Sequence, residues 1–353
     1  MNNTICAYPW NGLAINPNGR ILPCCRYHVD DYVADSRESE HWVELRSRML
    51  KGEESPGCKK CYRDEASGIN SMRKQSLNFV PKNNIPTPLD KLEIAFNNLC
   101  NLACVHCSSA YSSTWYSEDY KKGKIGKIGI IENSFPVTEM DLSKLTELKI
   151  IGGEPMMQQD KFIELLNKVN LSKLTVWIYT NGTHLPNERL MAQLKQCKLV
   201  KLSVSLDGID SVNDWYRWPS KFGNIIENMK IYDSVFKKQK RVHCVINAVN
   251  VFYLEEYIAF IKINFPKWEI EWDWITHPAW QQLSVLPAEV KTQLISKFAN
   301  KKHPYNTTVD RLKDNSTIEW NEFKQRVEEL SSDRNLNFRS MLPKLSDIWN
   351  NEY

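Results

Sequence analysis

The sequence predicts an α/β fold, a parallel sheet flanked by helices, set between a cysteine-rich N-terminal segment and a helical C-terminal one. Three observations predict it. From residue 89 onward, strand-like apolar runs alternate with amphipathic stretches of helical length, the pattern of a parallel sheet with helices outside. The motifs that carry chemistry each fall just past one of those runs, where parallel α/β folds place their working residues. Eight of the ten cysteines lie before residue 110, and they separate the first segment from the rest. The expected divisions are residues 1–88, 89–280 and 281–353.

The elements follow in order. Residues 1–88 lack long periodicity and are punctuated by Gly, Pro and Cys. Cys6 opens the segment. Asn16-Pro17-Asn18-Gly19-Arg20 reads as a hairpin turn, with Ile21-Leu22-Pro23 leading back into Cys24-Cys25. Trp42–Leu50 has the spacing of a short amphipathic helix, and Cys58-Lys59-Lys60-Cys61 forms a C-x2-C knuckle. Strands are expected over Lys91–Phe96, Glu147–Ile151, Leu174–Thr180, Val200–Leu206, Arg241–Ala248 and Trp268–Trp274. Helices are expected over Tyr111–Lys121, Gln159–Val169, Asn187–Gln196, Phe222–Phe236 and Leu254–Ile263. After residue 280 the periodicity weakens. Glu289–Ala299, Thr317–Leu330 and Lys344–Asn350 are expected helices of a cap to which the sequence assigns no chemistry.

Composition narrows the function. The chain has 353 residues, 42% of them hydrophobic and 25% charged, as in an ordinary globular protein. Its net charge of +4 is interspersed and makes no case for a nucleic-acid groove or a membrane surface. No apolar run approaches the ~20 residues that cross a bilayer. Met1-Asn2-Asn3-Thr4-Ile5-Cys6 has neither a basic region nor an apolar core, so no signal peptide is expected and the expected location is the cytoplasm. Ten cysteines there point to metal or redox work rather than disulfides. Cys197 and Cys244, isolated in amphipathic or strand-like runs, read as small buried apolar side chains.

The organising stretch is Asn97 to Cys107, directly after the first expected strand of the second division. Cys100, Cys104 and Cys107 lie within eight residues on the loop that leaves it. Soft thiolates select iron–sulfur, zinc or copper(I), and three ligands rather than four leave one position open for chemistry. In the first segment, a lone cysteine, a pair and a C-x2-C could close four thiolates on one centre and stabilise a segment poor in apolar residues. Zinc accepts such a set as well. After the second strand, Gly152-Gly153-Glu154-Pro155 combines glycines that permit close backbone approach with a carboxylate suited to an ammonium. After the fourth, Ser205-Leu206-Asp207-Gly208 precedes Arg217, whose guanidinium fork suits a carboxylate.

The spacing C-x3-C-x2-C, with these two later motifs, resembles the radical S-adenosylmethionine (radical SAM) superfamily. The resemblance implies a partial (βα)6 TIM-like barrel. It implies that Cys100, Cys104 and Cys107 hold a [4Fe–4S] cluster whose fourth iron takes the amine and carboxylate of SAM. By the same match Gly152, Gly153, Glu154 and Pro155 bind the methionyl amine. Ser205 meets the ribose or carboxylate, Arg217 holds the carboxylate and His106 neighbours the adenine. Asn181 at the end of the third strand, where an Asn-Gly turn is the favoured reading, and Asn247 and Val249 after the fifth are expected as further cofactor contacts.

Ile15 to Cys24, of the form Ile-x-Pro-x-Gly-x-Ile-x-Pro-Cys, and the Cys58/Cys61 pair resemble the auxiliary cluster domains called SPASM or twitch. Those domains usually follow the catalytic one, whereas here the cysteines precede it. The resemblance implies a second [4Fe–4S] cluster on Cys6, Cys24, Cys58 and Cys61, with Cys25 the alternative to Cys24. The implied activity is reductive cleavage of SAM to a 5′-deoxyadenosyl radical that abstracts hydrogen from a substrate. The auxiliary pattern favours a ribosomal peptide or protein side chain that is oxidised, cross-linked or epimerised. A small sugar or nucleotide substrate, or a non-catalytic iron–sulfur electron-transfer module, are the alternatives. An external one-electron donor of the flavodoxin or ferredoxin type is the expected partner besides the substrate, with no nucleic acid and no membrane.

Overall fold

The computed structural model describes residues 4–29, 34–77, 81–126, 129–133, 135–236 and 239–349. It divides into two units. Met1–Cys100, Ser109–Thr180 and Pro186–Lys201 form the first, and Asn101–Ser108, Asn181–Leu185 and Leu202–Tyr353 the second.

The first unit carries β1 (Gly12–Ile15), β2 (Ile21–Leu22), β3 (Lys91–Ile94), β4 (Glu147–Ile150) and β5 (Thr175–Thr180), in the order β2-β1-β3-β4-β5. Strand β2 folds back antiparallel on β1, as the Asn16–Arg20 turn requires, with Ala14 opposite Leu22. All other pairs are parallel: Ile15 faces Ile94, Glu93 faces Lys149, and Ile150 faces Ile178. The pairing of β1 with β3 is a finding the sequence did not suggest. Residues of the cysteine-rich segment extend the sheet that begins the second expected division, which supplies apolar cover they lack themselves.

Alternation along these strands separates two faces. In β5, Val176, Ile178 and Thr180 are buried while Thr175, Trp177 and Tyr179 are half-buried. On the neighbouring strands the polar face is charged, with Lys149 Nζ 3.0 Å from a Glu93 carboxylate that is 5% exposed. One face of these strands is therefore buried and apolar, and the other carries the Glu93–Lys149 pair, unlike the doubly apolar strands of a sheet covered on both sides.

Strand β6 (Leu199–Ser205) runs from the first unit into the second, which adds β7 (Lys240–Ile246) and β8 (Glu269–Trp274). These too are parallel, with Ser205 opposite His243 and Ile246 opposite Trp274. All six expected strands are present in an α/β architecture with a mostly parallel sheet.

The expected helices appear with their ends set by caps. Ser112 Oγ accepts the Trp115 amide and Asn187 Oδ1 accepts the Leu190 amide, so those helices span Ser113–Lys121 and Glu188–Leu194. Gln159–Leu166, Phe222–Val235 and Leu254–Asn264 follow the expected ranges closely. The C-terminal helices among the described residues are Ala288–Phe298, Tyr305–Leu312, Trp320–Asp333, Phe338–Met341 and Pro343–Trp349. Tyr305–Leu312 went unread, and Asn350 lies outside the described residues. These helices are tied into the second unit by buried hydrogen bonds. Trp215 Nε1 donates to Ser331 Oγ at 2.9 Å, and Trp274 Nε1 to Thr308 Oγ1 at 3.1 Å. Among the described residues no helix is long and apolar enough to cross a membrane.

Candidate functional site

The cysteine loop begins in the first unit. The amide of Cys100 donates to Ser113 Oγ at 3.1 Å, and its carbonyl accepts from Ser113 Oγ and Thr114 Oγ1 at 3.0 and 2.8 Å. The start of the Ser113–Lys121 helix therefore fixes the first cysteine. The glycine motif lies against the same stretch. Gly153 has φ +54°, and a Cβ there would stand 2.5 Å from the Leu99 carbonyl oxygen and 3.0 Å from that of Asn97. The next amide, Glu154 N, donates to Leu99 O at 2.7 Å. Close approach is real, as the residue types suggested, but the backbone approached is that of the cysteine loop. The Glu154 carboxylate is fully buried, and its Oε1 accepts from the Met156 amide and the Thr180 hydroxyl at 3.0 and 2.7 Å. Pro155 is buried at the start of a short turn, Pro155–Met157.

Within the second unit the loop is held by a different segment. Ala103 N donates to Trp218 O at 2.7 Å and Val105 N to Tyr216 O at 2.8 Å. Cys104 is buried, and the Nη1 of buried Arg217 lies 3.7 Å from its sulfur. Arg217 Nη2 pairs with the fully buried Asp207 carboxylate at 2.7 Å, whose Oδ1 accepts the Val245 amide. Burial alone would lower the Arg217 pKa. Asp207, then Cys104, outweigh it, so the guanidinium is held firmly charged. Its Nε is buried without a hydrogen-bond partner, as is His106 Nδ1.

His106 stacks on Tyr216 with ring centroids 5.4 Å apart, and its Nδ1 is 3.9 Å from Asp207. Desolvation pushes its pKa down to about 4 against the pull of that carboxylate. Cys107 donates its amide to Cys104 O, and its thiol is pushed up to about 12, by burial first and then by Cys104. Desolvation also raises Cys104, with Arg217 opposing. Two orphaned polar atoms beside the cysteine loop fit a polar, carboxylate-bearing cofactor on a donor set of thiolates.

Other expected contacts resolve differently. Asn181 binds the loop itself, its Nδ2 donating to Asn101 Oδ1 at 2.9 Å. Ser205 is half-buried at the C-terminal end of β6. Asn247 and Val249 are fully buried, and Asn247 Oδ1 accepts the amides of Val249 and Asn250 while its Nδ2 donates to Val245 O. The Asn247 side chain is thus engaged in a backbone-bonded turn after β7.

Two participants escaped the sequence reading. Tyr216 supports His106, and Gln281 is fully buried where it joins three segments. Its Nε2 donates to Val105 O at 2.9 Å, its Oε1 accepts the Tyr216 hydroxyl, and its carbonyl accepts Ala248 N. Nothing around Gln281 in the sequence marks it.

The N-terminal cysteines gather within the first unit. Cys6, Cys24, Cys58 and Cys61 line one pocket with Tyr27, Arg26 and Arg73. Cys25 is exposed and is not among the residues lining that pocket. Burial raises the Cys24 thiol first, and thiolate charge on Cys25, Cys6, Cys58 and Cys61 would raise it further. Cys6 is pushed up to about 11 and Cys58 to about 12 by burial. Among the described residues no three His, Cys, Asp or Glu side chains are grouped closely enough to hold one metal ion as they stand. Four thiols lining one pocket are a donor set that either an iron–sulfur cluster or a zinc ion accepts.

Residues 94–261 match the radical SAM superfamily. A probable GTP 3′,8-cyclase of Archaeoglobus fulgidus is 31% identical over 134 residues, 38% of this chain and 40% of that protein. Mycofactocin maturase MftC of Mycobacterium ulcerans is 27% identical over 161 residues, 45% of this chain and 41% of that protein. Among solved structures, native anSMEcpe with bound AdoMet aligns over 60% of this chain and 59% of that one, at 18% identity and a TM-score of 0.43. The chain spans less than half the length of these curated relatives.

Proposed function

With residues 94–261 a radical SAM superfamily domain, we propose that this chain modifies a ribosomal peptide or protein side chain by hydrogen abstraction. Cys100, Cys104 and Cys107 would hold the [4Fe–4S] cluster, which when bound and reduced would supply the one-electron chemistry that cleaves SAM reductively and lets a substrate C–H bond be attacked. The chain's own residues position the cofactor. Glu154 receives the methionyl ammonium, and the turn at Gly152, Gly153 and Pro155 presents it. Arg217 Nε and Ser205 receive the carboxylate end, and neutral His106, braced by Tyr216, flanks the adenine. Asn181 keeps the loop in place through Asn101.

The observation that carries the peptide reading is the pocket lined by Cys6, Cys24, Cys58 and Cys61, a second thiol set that binding and cleaving SAM do not require. It would hold the auxiliary cluster, passing an electron at the product radical or ordering the substrate entrance. The electron for the first cluster would come from an external one-electron donor. The nucleotide alternative is favoured by one specific observation, the 31% identity to a probable GTP 3′,8-cyclase.

Iron analysis tests the assignment. Anaerobically reconstituted protein is expected to hold about eight irons as two [4Fe–4S] clusters and to release 5′-deoxyadenosine from SAM. Changing Cys100, Cys104 and Cys107 to Ala leaves about four irons and no SAM cleavage. Zinc in place of iron in that variant sinks the auxiliary-cluster reading. Product formation from a nucleotide, with none from any peptide, replaces the substrate class.

A further inference from the structure

Arg217 does more than face a cofactor carboxylate. The backbone pairs Ala103 with Trp218 and Val105 with Tyr216, through hydrogen bonds of 2.7 and 2.8 Å. Those two bonds bracket Cys104 on one segment and Arg217 on the other, so register alone sets the two side chains opposite each other. The result is the 3.7 Å contact from Arg217 Nη1 to the Cys104 sulfur. Behind the guanidinium, Asp207 takes Nη2 at 2.7 Å and is itself fixed by the Val245 amide at 2.8 Å. A buried cation donating to a ligand sulfur, with a buried anion directly behind it, forms a paired electrostatic device.

We propose that Arg217 and Asp207 set the reduction potential of the cluster on the Cys100, Cys104 and Cys107 loop, with opposite signs. This rests on the cluster assignment made above. Hydrogen bonds and charge at cysteine sulfurs tune cluster potentials. The cationic donor withdraws charge from the Cys104 sulfur and favours the reduced state, and the carboxylate offsets part of that field. In a buried setting neither effect is screened as it would be at a surface. Arg217 is thus a positioning residue for the cluster ligand as well as a partner for SAM.

The test is a redox titration of anaerobically reconstituted protein without SAM, followed by electron paramagnetic resonance. Arg217→Gln is expected to move the potential of the SAM-site cluster downward. Asp207→Asn, which leaves Arg217 uncompensated, is expected to move it upward. Opposite shifts support the proposal, since a merely loosened site would move both variants the same way. Unchanged potentials, or shifts of like sign, overturn it. Should Arg217→Gln fail to fold, Asp207→Asn alone decides by the direction of its shift. A Cys104→Ala variant that keeps the full SAM-site signal would instead strike the cluster assignment itself.

Discussion

Replacing Gln281 with Leu removes the polar end of a fully buried side chain at nearly constant volume. Two partners then lose their hydrogen bonds, the Val105 carbonyl on the cysteine loop and the Tyr216 hydroxyl behind His106. A buried polar group left unsatisfied costs about 1–3 kcal/mol, so the two together cost about 2–6 kcal/mol. The backbone bond from Ala248 N to the Gln281 carbonyl survives the change, which keeps the estimate to the side chain. At roughly 2 °C per kcal/mol, suited to a chain longer than 150–250 residues, the thermal midpoint should fall by about 4–12 °C. Circular dichroism melts measure it. Tyr216→Phe removes one of the same bonds from its other end, so a double-mutant cycle should be non-additive. A Gln281→Leu protein that melts within a degree of the wild type, with an additive cycle, would refute the account of Gln281 as the tie between the C-terminal segment and the cysteine loop.

Two further outcomes concern residues of the first unit, Gly153 and the N-terminal cysteines. Gly153→Ala places a methyl 2.5 Å from the Leu99 carbonyl at a positive φ, so soluble yield and iron at the SAM-site cluster should both fall. Gly223→Ala, with open space around its Cβ in the Phe222–Val235 helix, should be neutral or stabilising by up to about 1 kcal/mol. Equal yields and iron for the two variants would refute the close-approach argument. Cys24→Ser should lose the absorbance of the auxiliary cluster, and Cys25→Ser should keep most of it, because Cys24 lines the four-cysteine pocket and Cys25 is exposed outside it. The reverse pattern would shift the ligand by one residue.

What the sequence revealed and what it hid divide along the range of the interactions. The six strand runs, the helices around Ser113–Lys121 and Glu188–Leu194, and the hairpin at Asn16–Arg20 are local, and each was legible with an error of a few residues. The charge on the inner sheet face was also present in the strings Lys-Leu-Glu-Ile and Glu-Leu-Lys-Ile, though only the parallel register makes Glu93 and Lys149 a pair. Non-local pairings were not legible. The sequence carries no sign that β1 joins β3, or that Gln281 reaches Val105. Local side-chain use was not legible either: Asn247 follows a strand, and its side chain closes its own turn.

The Arg217–Cys104 contact shows why that boundary falls where it does. The two residues are 113 positions apart, and their meeting depends on two backbone hydrogen bonds made by their neighbours rather than on either side chain. A motif records residue types that act on a ligand, so it marked Arg217 as a partner for a carboxylate. It has no means of recording a register. The same guanidinium therefore reads as one role in the sequence and two in the fold, and only a measurement made without SAM separates them.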